Sequence, residues 1–147
     1  MATLRMDHVS VVVEDLPGAI AFFTELGLTT AGTARLSGDW VDRVNGMSGL
    51  DVEIAMMATP DGHGRLELTR FHAPDAIPSE PAPSHVTGLR SVMFEVDDVR
   101  DTVERLRAHG GELIGEVTPF EDQYVLCYLR GPAGIIVALA ESVAPAS

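Results

Sequence analysis

Two related stretches of the chain contain the first candidates for chemistry. His8 lies at the start of "DHVSVVVEDL", residues 7–16, and Ser91 holds the matching place in "RSVMFEVDDV", residues 90–99. An imidazole exchanges a proton near neutral pH and is a common metal ligand, whereas a serine hydroxyl is a poor replacement in either role. The second stretch therefore lacks the imidazole that the first stretch contains.

Glu67 and Cys127 are two further residues whose types could take part in chemistry. Glu67 lies in "RLEL", where it could pair with Arg65 or with a residue on a neighbouring strand. An unpartnered carboxylate on an inward face would be costly, which favours either a partner or a function. Cys127 alternates with Tyr128 and should point to the opposite face of its strand, so we predict a buried, unreactive thiol.

Length and composition limit the kind of protein that contains these residues. The chain has 147 residues, 46% of them hydrophobic, which is in the size range of one compact domain. No run approaches the ~18 apolar residues of a membrane span, and the N-terminus lacks the layout of a secretory signal. With one cysteine and a formal net charge of -12, we expect a cytoplasmic protein that binds neither nucleic acid nor membranes.

The hydrophobic pattern of the first half predicts a strand, a helix and three more strands. A β-branched run at 7–14 indicates a buried strand, and Asp15 can cap a helix over 16–26 that stops at Gly27. Further strands are predicted at about 29–36, 51–58 and 64–71. A glycine-rich excursion with Trp40 separates the first two of these.

The second half repeats this order after a proline-rich segment. A strand is predicted at 90–96 and a helix at 99–109, and the last strands at about 112–118, 123–130 and 135–141. A shift of 83 positions (91 − 8) carries His8 to Ser91, and a shift of 71 (138 − 67) carries Glu67 to Ala138. We predict one structural domain made of two β-α-β-β-β modules, residues 1–71 and 89–147, joined by a linker at 72–88. His63, His72 and His85 are predicted to be solvated in turns or in this linker.

The whole chain resembles the vicinal-oxygen-chelate superfamily, which includes glyoxalase I, methylmalonyl-CoA epimerase, extradiol dioxygenases, fosfomycin-modifying enzymes and bleomycin-resistance proteins. Four stretches in matching order carry the resemblance: "MDHVSVVVEDLPGAIAFFTELGL", "GRLELTRF", "GLRSVMFEVDDVRDTVERLRAHGGEL" and "CYLRGPAGIIVALAE". The resemblance implies an α+β fold in which the two modules form a curved mixed sheet, a half-open barrel, around a cleft. It also implies a homodimer.

The resemblance further implies a metal site with one ligand on the first strand and one on the last strand of each module. The matching positions are His8, Glu67, Ser91 and Ala138, of which only His8 and Glu67 have a suitable donor. Since catalytic metal sites usually keep three protein donors, we expect a weak, incomplete metal site and no tightly bound cofactor. Glu95 shares the face of Ser91 but lies about 13 Å further along the strand, too far to replace it. The alternative is a divalent metal completed by an unidentified ligand, including one from a second chain.

His8 and Glu67 are also the candidate catalytic residues. If they face each other across the sheet, as the resemblance implies, the pair could act without metal as a general base. A histidine that is simply hydrogen-bonded within the cleft is the other interpretation.

Alternation along the strands predicts a mostly apolar cleft around this pair. The candidate ligand-binding residues, several of which could instead be ordinary core, are Ser10, Trp40, Met57 (or its neighbour Met56), Phe71, Ser91, Met93, Glu95, Tyr124, Tyr128 and Ala138. Soft and aromatic side chains of this kind suit a flat or apolar organic ligand.

The leading functional expectation is a protein that binds a small apolar or aromatic molecule, either to sequester it, as in antibiotic resistance, or to assist a reaction without metal. The alternative is a metal-dependent, glyoxalase-like lyase, an epimerase or isomerase, or a dioxygenase that uses His8 and Glu67. A pure interaction module is a third reading. The sequence leaves open whether the protein is an enzyme.

Overall fold

A computed structural model of the protein describes residues 2–143. Within that range the chain forms three α-helices and two mixed β-sheets, so the predicted α+β fold of two β-α-β-β-β modules is confirmed. The chain divides into two compact units between Pro78 and Ser79. None of the helices in the described range has the length and apolar character needed to cross a membrane.

The first module consists of four strands and two helices. Their bounds are β1 Val9–Val12, α1 Leu16–Leu26, β2 Thr29–Ser37, α2 Asp39–Asn45, β3 Asp51–Ala58 and β4 Arg65–Ala73. The sheet order is β1-β4-β3-β2, with β1 parallel to β4 and the other neighbours antiparallel. The first strand of the module is thus paired with its last.

Helix α1 begins and ends where its capping residues predict. The Asp15 side chain accepts a hydrogen bond from the Gly18 backbone N–H, and Gly27 ends the helix with a φ of 116°, which suits glycine. Phe22 and Phe23 are fully buried. They lie on the side that packs against the sheet, where alternate residues of β3 and β4 such as Leu68 are also buried.

The segment around Trp40 differs from its interpretation as a glycine-rich excursion, since it contains helix α2. Val41 is 4% exposed and anchors this short helix. The Asp42 carboxylate accepts hydrogen bonds from the backbone N–H groups of Gly49 and Leu50, at 3.0 and 2.9 Å. One side chain therefore ties the helix to the start of β3.

The second module contains five strands, one α-helix and a short 3-10 helix at Pro132–Gly134. Their bounds are β5 Ser91–Glu95, α3 Val99–Arg107, β6 Glu112–Leu113, β7 Thr118–Phe120, β8 Tyr124–Arg130 and β9 Ile136–Ser142. The sheet order is β5-β9-β8-β6, with β5 parallel to β9 and β7 paired to β8. The sequence predicts one continuous strand at 112–118. This prediction is wrong, because residues 114–117 separate β6 from β7.

Two carboxylates hold the start of α3. The Asp98 side chain accepts a hydrogen bond from the Asp101 N–H at 2.9 Å, and Glu141 on β9 accepts one from the Val99 N–H at 2.8 Å. Negative charge at a helix N-terminus is favourable because the backbone N–H groups there lack partners within the helix. Glu141 therefore connects the helix to the sheet.

The proline-rich segment begins and ends two residues later than predicted. Strand β4 continues through Ala73, and residues 74–90 form no helix or strand. His72, predicted to be solvated, instead lies in β4 and its Nε2 is 2.9 Å from Oε1 of Glu53 on β3. His63 and His85 are exposed.

Candidate functional site

The structure brings His8 and Glu67 together on the first module. Ser10 on β1 and Glu67 on β4 are directly opposite in the parallel pairing, and His8 immediately precedes β1. The His8 Nε2 and Glu67 Oε2 atoms are 3.4 Å apart, with side chains 30% and 22% exposed. The two candidate catalytic residues therefore form a half-buried pair that solvent or a ligand can reach.

Two hydroxyl groups fix the Glu67 carboxylate. Ser10 Oγ and Thr69 Oγ1 both donate to Glu67 Oε1, at 3.3 and 3.2 Å. Oε1 is thus occupied while Oε2 is directed toward His8. Within residues 2–143 no ion pair joins Glu67 to Arg65, the partner that the sequence left open.

Asp7 holds the other side of the imidazole. Its Oδ1 is 2.8 Å from His8 Nδ1, and Arg5 donates to its Oδ2 at 3.4 Å. The hydrogen bond from His8, with a smaller contribution from Arg5, lowers the pKa of Asp7 below its ordinary value. An ionised carboxylate only accepts, so Nδ1 carries a proton, and the other ring nitrogen, Nε2, lies beside the Glu67 carboxylate.

The neighbours of this pair on the sheet are partly those predicted. Met56 is the register partner of Glu67 and lies on the same face, whereas Met57 is 0% exposed on the opposite face with its sulfur accepting from Thr30. Of the two methionines that the sequence left open, Met56 therefore shares the face of Glu67 and Met57 lies on the opposite face, because successive side chains of a strand alternate between faces. Phe71 shares the parity of Glu67, and Trp40 is 57% exposed on α2.

The matching positions of the second module have no comparable donors. Ser91 is the exposed first residue of β5, and Ala138 on β9 is 1% exposed between its register partners Met93 and Tyr128. In the described part of the chain no three His, Cys, Asp or Glu side chains lie close enough to hold a metal ion. Of the four positions that the resemblance implies as metal ligands, His8 and Glu67 have suitable donor atoms, whereas Ser91 has a hydroxyl and Ala138 has none.

Neither nearby carboxylate of the second module fills the gap. Glu95 is paired with Ala140, so it lies two residues along β9 from Ala138. Glu141 is in the opposite strand parity to Ala138 and is engaged at the start of α3. The second module therefore offers a hydroxyl and a methyl group where the first has an imidazole and a carboxylate.

The equivalent face of the second module is apolar and partly open. Met93, Ala138 and Tyr128 form one row across three strands, and Met93 and Tyr128 are 53% and 40% exposed. Tyr124, four residues before Tyr128 on the same strand face, is also 40% exposed. This row is the aromatic and methionine surface that strand alternation predicts.

A cavity of about 290 Å³ opens beside this row. Its walls include Ile114, Thr118, Leu126, Cys127 and Tyr128. Ile114 and Thr118 were not among the candidate ligand-binding residues, because the interruption between β6 and β7 that creates the space was predicted as continuous strand. Cys127 is 4% exposed, and burial raises the pKa of its thiol.

The chain matches one family model and is similar to several solved structures. The family model described as Glyoxalase/Bleomycin resistance protein/Dioxygenase superfamily matches residues 5–139. A glyoxalase family protein from Bacillus cereus is 50% identical, with a TM-score of 0.93 over 98% of this chain and 97% of that one. No curated protein matches the sequence.

More distant solved structures share the fold. A glyoxalase I mutant from Zea mays has a TM-score of 0.68 at 22% identity, over 95% of this chain and 46% of that chain. Glyoxalase I from Leishmania major, described as trypanothione-dependent, has a TM-score of 0.65 at 19% identity, over 95% and 87%. At these identities the likeness concerns the fold and not the reaction.

Proposed function

The chain belongs to the glyoxalase/bleomycin resistance protein/dioxygenase superfamily, and from this premise we propose that it binds a small apolar or aromatic molecule without a tightly bound metal. The observation that carries the proposal is the asymmetry of the two modules. His8 and Glu67 are 3.4 Å apart in the first, while Ser91 and the buried Ala138 occupy the matching positions of the second. Two donors in place of the family's four favour weak metal binding.

The apolar face of the second module supports the choice of ligand. Met93 and Tyr128 present a thioether and a ring, both of which adapt to or stack on flat organic molecules. The neighbouring cavity of about 290 Å³ is near the lower end of typical ligand pockets, which are roughly 300–1,000 Å³. A compact molecule such as a one-ring or two-ring compound fits this space better than a long chain.

Beyond sequestration, the proposal includes a proton transfer to the imidazole of His8. When the imidazole is neutral, Asp7 holds its proton on Nδ1, so Nε2 is the nitrogen that accepts a proton from a molecule bound at the first module. The Glu67 carboxylate beside Nε2 then stabilises the resulting imidazolium. This arrangement would support metal-independent general-base catalysis on a weakly acidic substrate.

A neutral fluorescent probe tests the ligand proposal. Prodan, a neutral two-ring naphthalene, should bind the wild-type protein and gain fluorescence, and Tyr128→Ala should weaken binding about 3- to 10-fold through loss of an aromatic contact. Phe120→Ala is the matched control, because Phe120 is 49% exposed on the same sheet but does not line the cavity. Equal effects of the two substitutions, or no binding by the wild type, would refute this ligand surface.

Metal titration tests the other half of the proposal. After dialysis against Co²⁺, Ni²⁺ or Mn²⁺ and desalting, the protein should retain well under one metal ion per chain. The exposed histidine variant His85→Ala controls for surface binding. Stoichiometric metal that is lost in His8→Ala or Glu67→Ala, but kept in His85→Ala, would overturn the proposal and favour a metal-dependent lyase, epimerase or dioxygenase.

The homodimer implied by the family resemblance is part of the same proposal. It predicts a mass of twice 15.7 kDa by light scattering. A monomer at all concentrations would remove this part without affecting ligand binding.

A further inference from the structure

We propose that the second module has a separate binding site for a small organic anion, at a second cavity near the start of β5. This cavity has a volume of about 320 Å³ and shares no wall residue with the cavity beside Tyr128. Two arginines, Arg90 and Arg130, line it together with apolar side chains. The proposal therefore stands independently of the function proposed above.

The Arg90 guanidinium is the first observation that points to a ligand. Its Nε atom is buried and has no hydrogen-bond partner in the described part of the chain. A buried donor without an acceptor is costly, the more so when it belongs to a charged group. Nε itself is closed to a water-sized group, so a carboxylate or phosphate oxygen in the cavity would pair with the other N–H donors of this planar guanidinium and offset the cost of burying its charge.

Arg130 supplies a second cation that is already held in place. It is the last residue of β8, and its Nη1 donates to the carbonyl oxygen of Gly134 at 3.0 Å. A guanidinium has five N–H donors, so this one bond orients the group and leaves others for a ligand. Both arginines belong to the wall of one cavity, which concentrates positive charge there.

The charge balance of the cavity is opposite to that of the chain. Glu80 is the one acidic residue of its wall, so two arginines leave a net positive charge inside a protein of formal net charge -12. An acidic surface disfavours anions in general, which makes a local positive site selective for an anion small enough to enter. A polyanion such as nucleic acid is too large for the cavity and would be repelled by the surrounding acidic surface.

The apolar part of the wall defines the rest of the ligand. Val86, Leu89, Ile135 and Ile136 line the cavity, and Leu89 is 71% exposed. The proline-rich segment packs closely against the 3-10 helix beside this cavity. The space between them is small, since a Cβ atom added to Gly134 would lie 3.2 Å from the side chain of Pro81. The site thus fits a carboxylate or phosphate monoester with a small apolar body.

Calorimetric titration with benzoate and with phenyl phosphate tests the site and distinguishes the two head groups. Benzamide, a neutral molecule of the same shape as benzoate, and inorganic phosphate, which lacks the body, complete the set. We expect binding of at least one organic anion, with benzamide and inorganic phosphate each at least tenfold weaker. Binding of benzamide as strong as that of benzoate, or no binding of either organic anion at millimolar concentration, would overturn the proposal and leave water as the occupant.

Substitution of the arginine locates the site. Arg90→Met should weaken anion binding about tenfold or more, because it removes charge-assisted hydrogen bonds. The matched control is Arg100→Met on α3, which removes the same charge from an exposed arginine outside the cavity and should change affinity less than twofold. Equal losses in the two variants would mean nonspecific electrostatic attraction and would refute the site.

Two measurements keep the proposal testable if Arg90→Met does not fold. Glu80→Gln should strengthen binding of the anion several-fold, since it removes the one negative side chain of the wall. In the wild-type protein, the Nε–H resonance of Arg90 should shift on addition of the anion. An unchanged resonance at saturation would refute contact with this group.

Discussion

Replacing Glu67 by alanine should destabilise the protein, whereas replacing it by glutamine should not. Glu67 Oε1 is the acceptor for two hydroxyl groups, those of Ser10 and Thr69. Thr69 is only 7% exposed, so its hydroxyl has little access to water when the acceptor is removed. Ser10 is exposed and can turn to solvent.

The magnitude follows from these contacts. A lost hydrogen bond costs about 0.5–1.5 kcal/mol, with the buried Thr69 at the upper end, and the partly exposed contact with His8 adds about 0.2–1 kcal/mol. Glu67→Ala should therefore lower the free energy of unfolding by about 1–3 kcal/mol, or Tm by about 3–10 °C. Glutamine keeps an acceptor for the hydroxyls and offers an N–H to His8 Nε2, so Glu67→Gln should stay within about 0.5 kcal/mol of the wild type.

Urea and thermal denaturation followed by circular dichroism measure both variants. The control is Glu95→Ala, an exposed carboxylate on the matching first strand of the second module, which should change stability by less than about 0.5 kcal/mol. If Glu67→Ala is as stable as the wild type, the hydroxyl contacts do not contribute. If Glu67→Gln is as unstable as Glu67→Ala, the negative charge matters and not the acceptor geometry.

Three further outcomes are expected. The bidentate ion pair with Arg35 holds the pKa of Asp51 below its ordinary value of 3.8, so it stabilises the fold above that pH and the contribution is lost as the pH falls through the lower, folded-state pKa. Arg35→Met should thus be less stable than the wild type at neutral pH, and urea melts should show the two converging in strong acid; a difference that persists there would contradict this. Cys127, buried and with a raised pKa, should react with a disulfide reagent only slowly until urea unfolds the protein, and fast labelling of the native state would show the thiol to be accessible. Glu141→Ala should weaken the start of α3 by about 1 kcal/mol, seen as faster hydrogen exchange at the Val99 N–H, and unchanged exchange would rule out its capping role.

Elements with strong local signals could be predicted from the sequence. The helix predicted at 16–26 matches α1, because Asp15 and Gly27 are a side-chain cap and a left-handed stop at its two ends. The strand predicted at 51–58 matches β3, whose alternation is clear. In these cases local chemistry and the tertiary fold favour the same structure.

The predictions from sequence fail where contacts between residues distant in the chain determine the local structure. Helix α2 has seven residues, and it depends on Asp42 reaching the backbone of Gly49 and Leu50. No period in a stretch this short predicts such a contact. Strand alternation also leaves the absolute face undetermined, so the sequence left Met56 and Met57 open, and the register places Met56 on the face of Glu67.

The approach of His8 to Glu67 could not be derived from local pattern. It depends on the parallel pairing of β1 with β4, which the family resemblance implied and the residues between them do not encode visibly. The anion cavity was missed for a similar reason. Arg90 and Arg130 are 40 positions apart (130 − 90), and only the fold brings them to one wall.

The pairing of the first strand with the last has a consequence for the order of folding. Ser10 and Glu67 are separated by 57 positions, so their contact closes nearly the whole first module into a loop. Pairings of this span form late, because the chain entropy lost in closing them is repaid only when the intervening strands are already in place. A nascent or truncated chain is therefore expected to form helix α1 and the β2–β3–β4 meander before the His8–Glu67 contact, which reports that the module is complete.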